Sequence, residues 1–149
     1  MDAKKQVLIV TNSITDDEVL EIQQAFDDKI APLMNINLSL VHVIPRLPTC
    51  YFNIPSMGIL IERYYAEAKK SLNQVGKMLS VTKRNQWLIS GKTRTEVLRL
   101  ANRLSSDFIL ASAEQIQELQ RSLFFKNIHQ YTMIKSIDHL KQLESNTLK

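Results

Sequence analysis

Continuous apolar runs alternate along this chain with segments whose apolar residues recur every three or four positions. The run "QVLIV" (6–10) is β-branched and leucine-rich, the mark of a strand buried on both faces. Thr15, Asp16, Asp17 and Glu18 then open a helix: Thr15 and Glu18 form a capping box, and the acids suit the positive end of the helix dipole. Val19, Ile22, Phe26, Ile30 and Leu33 give this helix one core face, and Pro32 falls in its last, irregular turn. "LSLVHVI" (38–44) predicts a second strand. The segment 45–58 holds Pro45, Pro48 and Pro55 and predicts a loop, suited to a lid. From Ser56 a long helix runs towards Val81, with Leu60, Tyr64, Ala68, Leu72, Val75 and Leu79 on one inward stripe and Gly76 as a small weakness.

"QWLIS" (86–90) is the third strand, and the helix after it turns Val97, Leu98, Ala101 and Leu104 inward. "DFILAS" (107–112) is the fourth strand. A further helix from about Ala113 carries Ile116, Leu119 and Leu123, "YTMIKSI" (131–137) is a fifth strand, and a short helix over 138–144 closes the chain. Strands alternating with helices throughout imply βαβ units, hence a parallel sheet with right-handed crossovers and helices on both faces. A ligand site in such a sheet lies beyond the carboxyl ends of the strands, where Asn12, Ser13, Pro45, Gly91 and Ser112 would gather.

Composition narrows the class. At 149 residues with 44% hydrophobic and 23% charged positions, the chain suits one globular domain over 1–149. Three glycines argue against any glycine-rich ligand loop. The net charge of +4, with Lys and Arg taken as interleaved among fifteen acids, predicts a mildly basic, solvated surface. With Cys50 as the one cysteine, no internal disulfide forms and a reducing cytoplasm is the expected compartment. The first residues lack a signal pattern, and no apolar run approaches the roughly 18 residues that span a bilayer, so no membrane role is expected.

One stretch imitates a nucleotide phosphate loop. "ISGKTRTEV" (89–97) puts Gly-Lys-Thr between a strand and a helix. A true loop of that kind needs a glycine five residues before the Gly-Lys pair, where Gln86 stands. The same letters read more fully as architecture: Gly91 supplies a positive-φ turn, and Thr93 with Glu96 forms a capping box. Lys92 and Arg94 beside that helix start suit weak contact with a small anion.

In order and spacing, "VLIVTNS", "LSLVHVIP" and "SGKTRTEVLRLANRLSSDFILAS" resemble the universal stress protein family, α/β proteins of the adenine-nucleotide alpha hydrolase-like group. The resemblance spans nearly the whole chain. It implies a doubly wound, three-layer domain with a five-stranded parallel sheet in the order 3-2-1-4-5, and a homodimer formed through the last strand. Members that bind ATP carry Gly-x2-Gly-x9-Gly-Ser/Thr after the fourth strand. Aligned on that motif, the chain has Ser112, Gln115, Phe125 and Lys126, with none of the three glycines. The acid that the family tends to have at the end of the first strand is Asn12 here, able to keep a polar contact but not the charge. The chain is thus similar to the subgroup that does not bind ATP. Ser112 and Gln115 also fit a capping box. The tail over 138–149, with Leu140 and Leu143 on one stripe, extends past the family's usual end and bears on the dimer mode.

Other chemistry is sparse. His42, His129 and His139 lack metal-ligand spacing, and His42 reads as a hydrogen-bonded residue of a buried strand. Adjacent carboxylates at Asp16, Asp17, Asp27 and Asp28 point apart on a helix. Lys83-Arg84, Arg99 and Arg103 lack the interleaved aromatics of a nucleic-acid surface, so nucleic acid is not an expected partner. The expectation is a non-catalytic, cytoplasmic stress-response protein without cofactor, acting through homodimerisation and contacts with other proteins. One alternative is an adenine-nucleotide-binding regulator or weak ATPase, taking ATP or AMP with Asn12, Ser13, Val43 and Ser112 in an altered pocket. Another is an interaction domain that uses the proline-rich loop 45–58.

Overall fold

The computed structural model describes residues 5–24, 36–46, 54–120 and 133–136. Strands β1 (Lys5–Val10), β2 (Ile36–Ile44), β3 (Gln86–Ser90), β4 (Phe108–Ala111) and β5 (Met133–Ser136) form one sheet in the order β3-β2-β1-β4-β5, every neighbouring pair parallel. Helices α1 (Asp16–Gln24), α2 (Pro55–Leu79), α3 (Thr93–Arg103) and α4 (Ala113–Gln120) alternate with them, and a 3₁₀ turn over Lys83–Asn85 leads into β3. This is the doubly wound order expected of the chain.

Alternation along the strands builds two cores. On one face Val7, Ile9, Leu40 and Leu110 pack against Val19 and Ile22 of α1 and Leu72 and Val75 of α2. On the other, Leu8, Val10, Val41, Val43 and Ile109 meet Val97, Leu98 and Ala101 of α3 and Leu119 of α4. A strand covered twice has no solvent face, which is why β1 reads as an unbroken apolar run. Its start is tied to β4, since Gln6 N donates to the Asp107 carboxylate at 2.8 Å and Asp107 N to Gln6 O at 2.7 Å.

The proposed box at α1 forms in both directions: Thr15 N donates to Glu18 Oε1 at 3.1 Å, and Glu18 N to Thr15 Oγ1 at 3.2 Å. The other two boxes do not. In α3 the cap position is Lys92, with no side-chain cap bond, so Thr93 already lies inside the helix and Glu96 binds Arg99 instead, at 3.1 Å. In α4 the Ser112 hydroxyl has no partner among the described residues, although its carbonyl accepts from Ile116 N at 3.0 Å. Gln115 turns away to Ser13.

α2 departs from its predicted face. Ala68, Leu72 and Val75 are buried, but Leu60 and Tyr64 are each 49% exposed. A helix of 25 residues is about 37 Å long, whereas the five residues of β3 span about 16 Å, so the first turns of α2 overhang the sheet. The helix also starts at Pro55, inside the segment predicted as loop, with proline in the first turn where its missing N–H costs nothing. It ends at Leu79 with Ser80 in the left-handed conformation (φ 57°) and Val81 N donating back to Gly76 O at 2.8 Å.

Gly76 is more than a weakness. A Cβ there would run into the Gln86 side-chain amide, which donates to Val81 O at 2.8 Å. The missing methyl lets the end of α2 close onto the start of β3.

Phe26, Ile30, Pro32, Leu33, Cys50, Leu123, Phe125, Lys126, His129, His139 and the tail 138–149 lie outside the described residues.

Candidate functional site at the carboxyl edge of the sheet

Every strand of the parallel sheet ends on the same edge, and four of the positions singled out from sequence meet there. After Val10 the chain leaves β1 through Thr11, Asn12 and Ser13, the last at φ 60°. The turn is sharp enough that the backbone no longer runs beside β2. The Asn12 side chain continues the ladder instead: its Nδ2 donates to Val43 O at 2.8 Å, and Val43 N donates to its Oδ1 at 2.9 Å. A primary amide has a donor and an acceptor in the same geometry as a peptide, so it can replace one. The Val43 side chain itself is fully buried in the core.

Ser13 faces α4. Gln115 Nε2 donates to Ser13 Oγ at 3.4 Å, a long bond across the seam between β1 and β4. The Gln115 Oε1 and the Ser112 hydroxyl are both buried without a hydrogen-bond partner among the described residues. Asn12 and Val43 are therefore joined, as are Ser13 and Gln115, while Ser112 makes no side-chain bond at the start of α4.

Thr11 and His42 are lateral neighbours on the opposite face. The Thr11 hydroxyl is buried, donates to Val41 O at 3.2 Å and lies 3.0 Å from His42 Nδ1. The hydroxyl has one proton for these two neighbours, and the His42 tautomer sets which atom donates in the Thr11–His42 bond. Burial lowers the His42 pKa from its ordinary value of 6.5, because desolvation penalises the imidazolium. The pair ties the end of β1 to β2.

Beside this seam an open cleft of about 1020 Å³ lies between the starts of α3 and α4, reaching Pro45 and Gly91. Gly91 has φ +155°, as the turn requires, and its bare Cα makes room for the Glu96 side chain. Arg46, Lys92, Arg94 and Arg99 line the cleft together with Glu96 and Glu114. Arg99 is engaged by Glu96 in an exposed pair, which leaves the balance of the cleft cationic. Arg46 was not singled out from sequence, and Arg99 was weighed there only as a nucleic-acid contact. Arg46 was legible as the second residue after β2, a position that every parallel sheet delivers to this edge.

No protein-family model matches the chain. Among known proteins, universal stress protein A homolog 1 of Coxiella burnetii (strain RSA 493 / Nine Mile phase I) is 30% identical over 98 residues, covering 64% of this chain and 68% of that relative. The chain belongs to the universal stress protein family. Solved structures agree on the fold. A protein assigned to the universal stress proteins of Pseudomonas aeruginosa UCBPP-PA14 superposes with a TM-score of 0.54 at 13% identity over 99% of this chain, and a protein of unknown function from P. aeruginosa PAO1 with 0.54 at 14% over 97%. The chain spans about half the length of each, 53% in both cases. Among the described residues, no helix is long and apolar enough to cross a membrane.

Proposed function

We propose that this universal stress protein is a non-catalytic, cytoplasmic stress-response protein that does not bind ATP and acts through homodimerisation and contacts with other proteins. The observation that carries this reading is the Asn12 amide on Val43. An adenine ring is recognised by a matched donor and acceptor, and the free peptide group at the end of β2 would be such a pair. Here both of its groups are already bonded within the chain, at 2.8 and 2.9 Å. Gln115 adds to this support: where the nucleotide-binding motif has bare backbone, it extends a side chain to Ser13.

Calorimetric and thermal-shift titrations with Mg-ATP and with AMP test the reading. No saturable heat and no concentration-dependent rise in melting temperature are expected. A micromolar dissociation constant would overturn it. Light scattering tests the dimer, and a monomer at every concentration would remove that part.

A second reading is favoured by the cleft of about 1020 Å³ with Arg46, Lys92 and Arg94 on its walls. It is an adenine-nucleotide-binding regulator or weak ATPase that holds the phosphates on these cations. The same titration decides between the two, and an Arg46→Ala, Arg94→Ala variant that abolished an observed nucleotide signal would establish the second.

A further inference from the structure

The charges of this chain are not interleaved as composition suggests. Residues 68–95 contain seven bases and no acid, while the remainder carries twelve bases against fifteen acids. The fold arranges this basic stretch around β3. Lys69, Lys70 and Lys77 are exposed on α2, Lys83 and Arg84 are exposed in the 3₁₀ turn that enters the strand, and Lys92 is exposed just beyond its end.

Among the described residues β3 is also an edge strand, paired only with β2. Gly91 N donates to Ile44 O at 2.9 Å, and hydrogen bonding alternates along a strand, so Ile89 and Trp87 share that inward direction. The N–H and C=O groups of Leu88 and Ser90 therefore face outward from the sheet. Gln86 N is already bonded to Lys83 O.

We propose that β3 is a docking edge for an extended acidic segment of a partner protein, which adds a strand beside Gln86–Ser90 with Lys83, Arg84, Lys92 and Arg94 holding its carboxylates. The proposal rests on the protein-contact reading above and names the chemistry of the contact. Outward N–H and C=O groups together demand a partner with donors and acceptors in alternation, which a peptide has and a phosphate backbone lacks. A second copy does not suit this edge. An antiparallel β3 pair would lay Lys83 and Arg84 against the copy's Lys92 and Arg94, and a parallel pair would set each cation beside its twin; lysines at an edge keep like edges apart. A lipid surface does not suit it either, because among the described residues the exposed large apolar side chains are Leu20, Ile54 and a group on the first half of α2, with none on β3. At the entry to β3 lies a groove of about 500 Å³, mainly apolar, with Lys77 and Lys83 among its lining residues.

The test uses the full chain and a short fluorescent peptide alternating Glu with Thr, followed by anisotropy at low salt, with amide exchange recorded by NMR. Saturable binding and slowed exchange at Leu88 and Ser90 are expected. The Lys83→Glu, Arg84→Glu variant should bind about tenfold more weakly or worse, as reversal of steering charges does; circular dichroism checks its fold, and Lys83→Gln, Arg84→Gln replaces it if it does not fold. A peptide N-methylated at alternate amides should not bind. Equal binding of the N-methylated peptide, unchanged exchange at Leu88 and Ser90, or tighter binding of a DNA duplex that displaces the peptide would each overturn the proposal. Failure here is separable from failure of the nucleotide reading: ATP binding with peptide binding intact removes only the latter, and absence of both signals removes only the docking edge.

Discussion

The carboxamide of Asn12 stands where a peptide group would be, accepting from Val43 N and donating to Val43 O across the gap left when β1 turns away at Ser13. Both halves of the amide are needed. Asn12→Asp keeps the acceptor and sets a carboxylate against the Val43 carbonyl, leaving that oxygen without a donor. A loss of about 1–3 kcal/mol is expected from urea denaturation at neutral pH. A protonated carboxyl regains one donor, so the deficit relative to the native chain should narrow as pH falls towards about 4. Equal stability of the two proteins at pH 7 would show that the bond contributes nothing.

Gly76→Ala separates local propensity from tertiary contact. In a helix interior this change normally stabilises by about 1 kcal/mol. Here the new methyl enters the space of the Gln86 amide and displaces its bond to Val81 O. Overpacking costs about 1–3 kcal/mol, so the sign should reverse and the melting temperature should fall. Adding Gln86→Ala to Gly76→Ala should recover part of the loss, and a double-mutant cycle measures the coupling.

The same contrast explains what the sequence could and could not reveal. Strand positions were legible because "QVLIV" and "LSLVHVI" are buried on both faces and carry their signal locally, whereas the order of the strands in the sheet was implied only by the family resemblance. The inward stripe of α2 failed at Leu60 and Tyr64 because periodicity reports which face is apolar, not how far the sheet beneath it extends. At the edge, topology alone places Asn12, Ser13, Pro45, Gly91 and Ser112 beyond the carboxyl ends of the strands, but the bonding of Asn12 to Val43 needs a register between β1 and β2 that no local pattern contains. The basic run over 68–95 was present in the sequence and was averaged away by reading net charge alone.

Three capping motifs of the same type give a graded prediction. Thr15 and Glu18 bond reciprocally, so Thr15→Ala should cost about 1 kcal/mol. Thr93 lies one position inside α3, and the Ser112 hydroxyl has no bond among the described residues, so Thr93→Ala and Ser112→Ala should each change stability by less than about 0.5 kcal/mol. Thermal melts of the three variants suffice. A loss at Thr93 equal to that at Thr15 would mean that α3 is capped by its side chain in solution.

Gly91 couples backbone to packing. Its φ of +155° is a region that side chains avoid, and a Cβ would also press on the Glu96 side chain. Gly91→Ala should therefore cost about 1–3 kcal/mol. Combining it with Glu96→Ala relieves the contact but not the dihedral, so most of the loss should persist. Full recovery in the double variant would assign the whole effect to packing.

His42 predicts a pH dependence of definite sign. Burial lowers its pKa in the folded chain below 6.5, the value expected when the chain unfolds. At a pH between those two values the unfolded state binds more protons than the folded one, so stability rises with pH across that window. The contribution is fully present above about 6.5 and is lost as pH falls towards the folded value. The penalty comes from desolvating the imidazolium charge. His42→Gln should flatten this part of the stability profile while leaving carboxylate-driven changes at lower pH unaltered. Urea midpoints at half-unit steps from pH 7.5 to 5, taken for both proteins, would show it, and parallel profiles over the whole range would mean that His42 titrates alike in the folded and unfolded states.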